Sequence, residues 1–148
     1  MTYSPILAPI VALVAWSLVV MMWLYFTRFA AMRRAGISLK GRVGSRGSDL
    51  DGVVEPQVQW KAHNYNHLME QPTIFYAVAL SLALMDMGRG VNLWLAWAYV
   101  LLRVAHSLVQ GTVNVVRYRF LLFAAASFCL IGLTVHAGMQ ILRDCLGW

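Results

Sequence analysis

"NYNHLMEQPTIFYAVALSLALM", residues 64–85, decides how this chain is read. Its first half holds Asn64, Asn66, His67, Glu70 and Gln71, while Thr73–Met85 is almost wholly apolar. The apolar half is short for a membrane span. It becomes long enough if the helix starts near Gln59 and keeps its polar first turns outside lipid. Glu70 then sits at the border, where a charge costs at least about 2.5–3.5 kcal/mol unless it faces protein or water.

The rest of the chain supports lipid as the solvent. Charged residues make up 12% of the 148 and hydrophobic ones 60%. A soluble domain carries about 25% charged residues. Ile6–Phe26 and Phe120–Leu142 contain no Asp, Glu, Lys or Arg, and a further apolar run begins at Val91 and continues past Arg103. Backbone in lipid must satisfy its own hydrogen bonds, so these runs read as helices. The expected architecture is an all-α, integral membrane four-helix bundle. One domain covers 1–148, with spans near 6–29, 59–86, 91–116 and 119–143 and a basic loop near 30–58. The opening MTYSPIL has no Lys or Arg, and the run behind it exceeds a signal-peptide core of about 7–15 residues, so it reads as the first span.

The net charge of +6 is concentrated in two connections. Arg28, Arg33, Arg34, Lys40, Arg42, Arg46 and Lys61 surround the first, and Arg117 and Arg119 the third, whereas Asp86–Gly90 is nearly neutral. The positive-inside rule puts the basic loops in the cytoplasm and both termini outside. No basic stripe with aromatic platforms accompanies the charge, so nucleic acid is not an expected partner. Residues 36–56 are rich in Gly and Ser and read as a flexible cytoplasmic linker; "GRVGSRG" within them, residues 41–47, lacks the strand-before, helix-after context of a phosphate loop. Cys129 and Cys145 have no metal-ligand or disulfide spacing and read as packing residues, and no metal site is expected.

Polar residues recur at helical spacing. His63, Asn66, His67, Glu70, Thr73, Ala77 and Ser81 form one stripe on the second helix. Arg103, His106, Gln110, Asn114 and Arg117 form another on the third. Charged side chains at membrane depth face the bundle interior, so both stripes are expected to face inward and Arg103 to neutralise Glu70. The surplus arginines favour an anion, since guanidinium grips carboxylates in bidentate fashion, and Glu70 could hold an ammonium.

"KAHNYNHLMEQPTIFYAVAL" (61–80) and "LRVAHSLVQGTVNVVRYRFLLF" (102–123) resemble the MAPEG family, the membrane-associated proteins in eicosanoid and glutathione metabolism. The resemblance implies a homotrimer that binds glutathione between subunits at the cytoplasmic side. It also implies conjugation or peroxidase chemistry on lipophilic electrophiles or hydroperoxides, though some members bind lipid and catalyse nothing. Carried over by position, Glu70 would hold the amine of glutathione and Arg119 would stabilise its thiolate. Arg28, His63, Asn66, His67, Arg103, His106, Gln110 and Arg117 would contact the peptide, with Arg33 a competitor for the first-helix arginine. The family's Asn-x-x-Glu becomes Asn-x-x-x-Glu here, so strict register puts His67 in place of the asparagine. Gln110 and Phe123 stand where tyrosine or another hydroxyl is usual. The expected partners are glutathione, a lipophilic small molecule, membrane lipids and further copies of the chain; the expected site is the bacterial inner membrane. The alternatives are a non-catalytic lipid-binding scaffold on the same fold and a small multidrug transporter, although Ile6–Phe26 lacks the acidic residue expected of the latter.

Overall fold

The structure is a computed structural model that describes residues 3–38, 40, 41 and 43–147; Arg42 of the basic loop lies outside them. Four long helices account for most of the chain: α1 (Leu7–Arg34), α2 (Pro56–Leu84), α3 (Val91–Gly111) and α4 (Val116–Leu146). There is no strand among the described residues. A short 3-10 turn, Gly47–Leu50, lies between α1 and α2. The protein is an all-α four-helix bundle.

Local chemistry sets the helix ends. Pro56 occupies the first turn of α2, where its missing N–H removes no hydrogen bond. Arg33 and Arg34 stand in the last turn of α1, next to the unpaired carbonyls. Pro72 lies inside α2 and cannot donate to the preceding turn, and the Thr73 hydroxyl donates to the Glu70 carbonyl 2.6 Å away. The hydroxyls of Ser17, Ser127 and Thr134 likewise donate to the carbonyl four residues back, which satisfies them inside an apolar helix.

α1 packs most extensively on α2 and α3 on α4, with α2–α3, α1–α3 and α2–α4 contacts closing the bundle. The core contains Ile6, Leu13 and Val20 from α1 and its lead-in, Leu68, Phe75 and Leu82 from α2, Tyr99 and Val100 from α3, and Leu130 and Leu133 from α4. Phe75 and Tyr99 stack with ring centroids 4.4 Å apart. α1, α3 and α4 are each long and apolar enough to cross a membrane, and their outer faces expose Leu18, Val19, Trp94, Leu101, Phe128 and Ile131. The 29 residues of α2 are long enough too, but its polar first half lowers its hydropathy below theirs.

Three expectations are corrected here. The third-helix stripe was expected to run on to Arg117, but α3 stops at Gly111. Asn114 lies in the following turn with a left-handed φ of 52°, and Arg117 begins the next helix. Residues 36–56 were expected to form a flexible linker, yet Leu50 and Val54 within them are buried against Met32 and hold that part of the loop onto the bundle. Of the cysteines, Cys129 packs against the core and Cys145 is exposed rather than packed.

The basic end depends on one close approach. A Cβ on Gly111 would lie 2.7 Å from Cζ3 and 2.8 Å from Cη2 of Trp23, a ring clamped between α1 and α3. Gly111→Ala is expected to destabilise the detergent-solubilised protein by about 1–3 kcal/mol, the usual cost of overpacking, read as a lower thermal midpoint by circular dichroism.

Candidate functional site

α2 has two differently used flanks. Its bundle-facing side carries Ala62, Asn64, Leu68, Phe75 and Leu82, all buried. His63, Asn66, Glu70, Thr73, Ala77 and Ser81, the stripe expected to turn inward, are exposed on the outer face instead. Arg103, His106 and Gln110 of α3 are buried as expected. The two stripes therefore do not meet face to face. The reason is that the inner face of α2 is already filled by larger apolar groups, which gain more from burial than the stripe would.

His67, at the edge of the stripe, bridges the gap. Arg103 has no exposed surface. Its Nη2 donates to the His67 carbonyl at 2.7 Å, and its Nη1 lies 3.3 Å from His67 Nε2. A guanidinium only donates, so Nε2 is the acceptor and the imidazole proton is assigned to Nδ1. Nδ1 in turn lies 2.9 Å from Glu70 Oε2. The expected direct Glu70–Arg103 pair is thus replaced by a relay through a neutral imidazole. Glu70 itself remains 67% exposed.

Beyond His67 opens a groove of about 240 Å³ lined by His67, His106, Val116, Arg119, Phe120 and Phe123. His106 tilts against His67 with ring centroids 4.9 Å apart, and the Phe123 ring packs 5.3 Å from His67 and 5.8 Å from the Arg103 guanidinium. Arg119 donates from Nη1 to Asn114 Oδ1 at 2.7 Å, so the left-handed Asn114 orients it. Arg119 Nε is buried with no protein partner. Arg117 is exposed one residue before Tyr118, and Gln110 lies outside the groove lining with its Oε1 buried and unpartnered.

A second cleft of about 420 Å³ lies on the opposite flank of α2, lined by Leu24, Arg28, Gly47, Gln59, His63 and Asn66 among others. Arg28 Nη2 donates to Gln59 Oε1 at 2.9 Å. Arg33 is exposed on the last turn of α1 and is absent from this lining. Lys61 is engaged elsewhere: its Nζ donates to the Gln57 carbonyl at 2.7 Å and lies 5.3 Å over the Trp23 ring. Sequence reasoning missed Gln59, Asn64 and Asp51. Gln59 was legible, one helical turn before His63. Asn64, which donates to the Ser107 carbonyl at 3.0 Å, and Asp51, which meets α2 from the loop, carry no periodic signal.

The fold defines a helical membrane protein with two arginine-bearing clefts towards one end of its bundle. The MAPEG family model matches residues 6–139, and the chain belongs to that family, whose members are membrane proteins of glutathione and lipid metabolism. Comparison with curated proteins and with solved structures gave no significant match.

The relay predicts an asymmetry. His67→Phe keeps the carbonyl but removes the ring acceptor of a buried guanidinium and is expected to cost about 1.5–3 kcal/mol. Glu70→Gln, at an exposed position, is expected to cost less than about 1 kcal/mol. Chemical unfolding of both variants in one detergent measures the difference.

Proposed function

We propose that this protein binds glutathione and directs its thiolate at lipophilic electrophiles or hydroperoxides, with Arg119 as the thiolate-stabilising group. The observation that carries the reading is the Arg119 side chain, oriented by Asn114 and lining a groove walled by two histidines and two phenylalanines. A cysteine thiol titrates near about 8.5 in water, and an adjacent fixed cation favours the thiolate without any proton transfer of its own. The Phe120 and Phe123 walls suit an apolar electrophile entering from lipid, and His106 suits orientation of the peptide. The co-substrate is glutathione; no metal takes part in this reading.

We further propose that the working unit is a homotrimer. The outer stripe of α2, with Glu70 on it, is a costly surface to leave against lipid. Small residues Ala77 and Ser81 on the same stripe allow close helix approach. The stripe lies between the Arg28 cleft and the Arg119 groove, so a ring of copies packed through it would bring the cleft of one subunit towards the groove of the next. Glu70 would then take the glutathione amine, with Arg28, His63 and Asn66 on one side and His67 and His106 on the other, Arg103 acting only through His67. Arg117, exposed beside the groove, would reach the peptide only from its rim. In this arrangement the basic end faces the cytoplasm of a bacterial cell and the termini lie outside.

A second reading, a lipid-binding protein without turnover, is favoured by Phe123, whose ring fills the place beside both histidines where a hydroxyl donor would assist the thiol.

Glutathione titration of the purified protein separates these readings. The wild type is expected to develop a thiolate absorbance near about 240 nm at neutral pH, and Arg119→Ala to bind without the band. Equal bands in both proteins would remove Arg119 from the mechanism; binding without a band in either supports the non-catalytic reading. Subunit mixing tests the assembly. Arg28→Ala and Arg119→Ala are each expected to lose conjugating activity, and co-expression to restore part of it. No restoration would mean that each site is built within one chain.

A further inference from the structure

The outer side of α1 changes character along its length. Val11, Leu18, Val19 and Met22 are exposed first, then Tyr25, Phe26 and Phe29, and Arg33 and Arg34 close the last turn. The Tyr25 and Phe29 rings neighbour one another with centroids 6.1 Å apart, and Phe26 is 75% exposed. Aliphatic, aromatic and basic side chains in that order suit a helix that leaves the hydrocarbon, passes the interface and reaches the headgroups. Phe29 and the arginines beyond it then stand at headgroup level.

At the aromatic step a groove of about 210 Å³ opens between α1 and the loop that follows it. Phe29, Met32 and Leu50 give it an apolar lining, and Ser45 and Arg46 a polar one. The loop side is held in place. Asp49 Oδ2 accepts from the Arg46 N–H at 2.8 Å and from the Ser45 hydroxyl at 3.2 Å, and Leu50 is buried against Met32. Arg28 and Gly47 are common to this groove and to the larger cleft, and Arg28 Nη2 is given to Gln59, so the cation that this groove has to itself is Arg46. Among the described residues both ion pairs use a histidine, so no arginine or lysine there has a carboxylate partner. Arg33, Arg34, Lys40 and Arg46 are all exposed.

We propose that this groove seats one anionic phospholipid of the adjoining leaflet, with its phosphate on Arg46 and the start of an acyl chain on Phe29, Met32 and Leu50. A guanidinium meets two phosphate oxygens through paired N–H groups. Arg33, Arg34 and Lys40 add a positive field around it, against which Asp49 sets one negative charge. A loop that is basic for orientation alone needs the charge but not an apolar groove beneath it. A soluble anion would meet Arg46 and leave Phe29, 54% exposed, against water; a lipid covers both. The bound lipid would tie the loop to the membrane at the end of α1. The proposal stands apart from the glutathione reading and rests only on α1 crossing the membrane.

Native mass spectrometry of the full-length protein released from micelles tests this, with phosphatidylglycerol and phosphatidylcholine of identical acyl chains added in equal amounts. The wild type is expected to retain phosphatidylglycerol in preference. Arg46→Ala is expected to weaken that retention about fivefold, the scale of one arginine at an anionic surface. Phe29→Ala is expected to weaken it as well. Arg143→Ala, which removes the same charge at the far end of α4, is expected to leave it unchanged. All three side chains are exposed, so the fold does not depend on them. The seat is overturned if the two lipids are retained equally, if either Arg46→Ala or Phe29→Ala retains phosphatidylglycerol as the wild type does, or if Arg143→Ala falls as far as Arg46→Ala. Displacement of the lipid by millimolar inorganic phosphate would also overturn it, by making the groove a site for soluble anions.

Discussion

A guanidinium with no exposed surface, set among helices whose outer faces are apolar, constrains everything around it. Arg103 cannot shed its charge, and taking that charge out of water is costly unless its N–H groups are met. The structure meets two of them with one residue: His67 offers both its carbonyl and its ring nitrogen. That double contact fixes the register of α2 against α3, selects the imidazole tautomer, and so directs Nδ1 at Glu70. An amide could supply an acceptor, but not a rigid ring reaching from the arginine to the carboxylate.

With its register set, α2 divides the basic end of the molecule. Its bundle face is apolar apart from Gln59 and Asn64. Its outer face carries the polar stripe beside exposed Met69, Ile74 and Leu80, with Arg28 and His63 on one flank and His106 and Arg119 on the other. Each flank holds an arginine whose Nε is buried and unpartnered, Arg28 in one case and Arg119 in the other. Unmet donors of this kind are uncommon in a folded chain, and Arg103 Nε in the bundle interior is a third. The far end of the bundle shows the contrast: Asn92 donates to the Met87 carbonyl at 3.0 Å and contacts His136 Nδ1 at 2.6 Å, a closed arrangement with a structural role.

Much of the fold was legible because lipid leaves few options. Uncharged runs such as Ile6–Phe26 and Phe120–Leu142 fall within α1 and its lead-in and within α4, and the motif strings carried the family. The candidate site was legible in its membership more than in its geometry. His67, His106 and Arg119 share a groove, whereas Gln110 is buried apart from it and Arg117 belongs to the next helix. The third-helix stripe was overextended because periodicity does not register a helix end when the turn residues Thr112–Val115 happen to keep the spacing. The loop was misread because its glycines suggest freedom, while the contacts that hold it, Leu50 on Met32 and Asp51 on Gln59, join residues far apart in the chain.

The sequence by itself determined the solvent, the four helices, the basic end and the residues that share each helical face, since all of these follow from local composition and a period of about 3.6 residues. Only the tertiary structure decided which way the faces turn. A stripe pattern states that His63, Asn66 and Glu70 lie together; it does not state whether a bundle or its surroundings lies in front of them. That choice was made by competition among whole faces for burial, in which Leu68, Phe75 and Leu82 displaced the polar stripe and left Glu70 looking outward, tied to Arg103 only through a histidine.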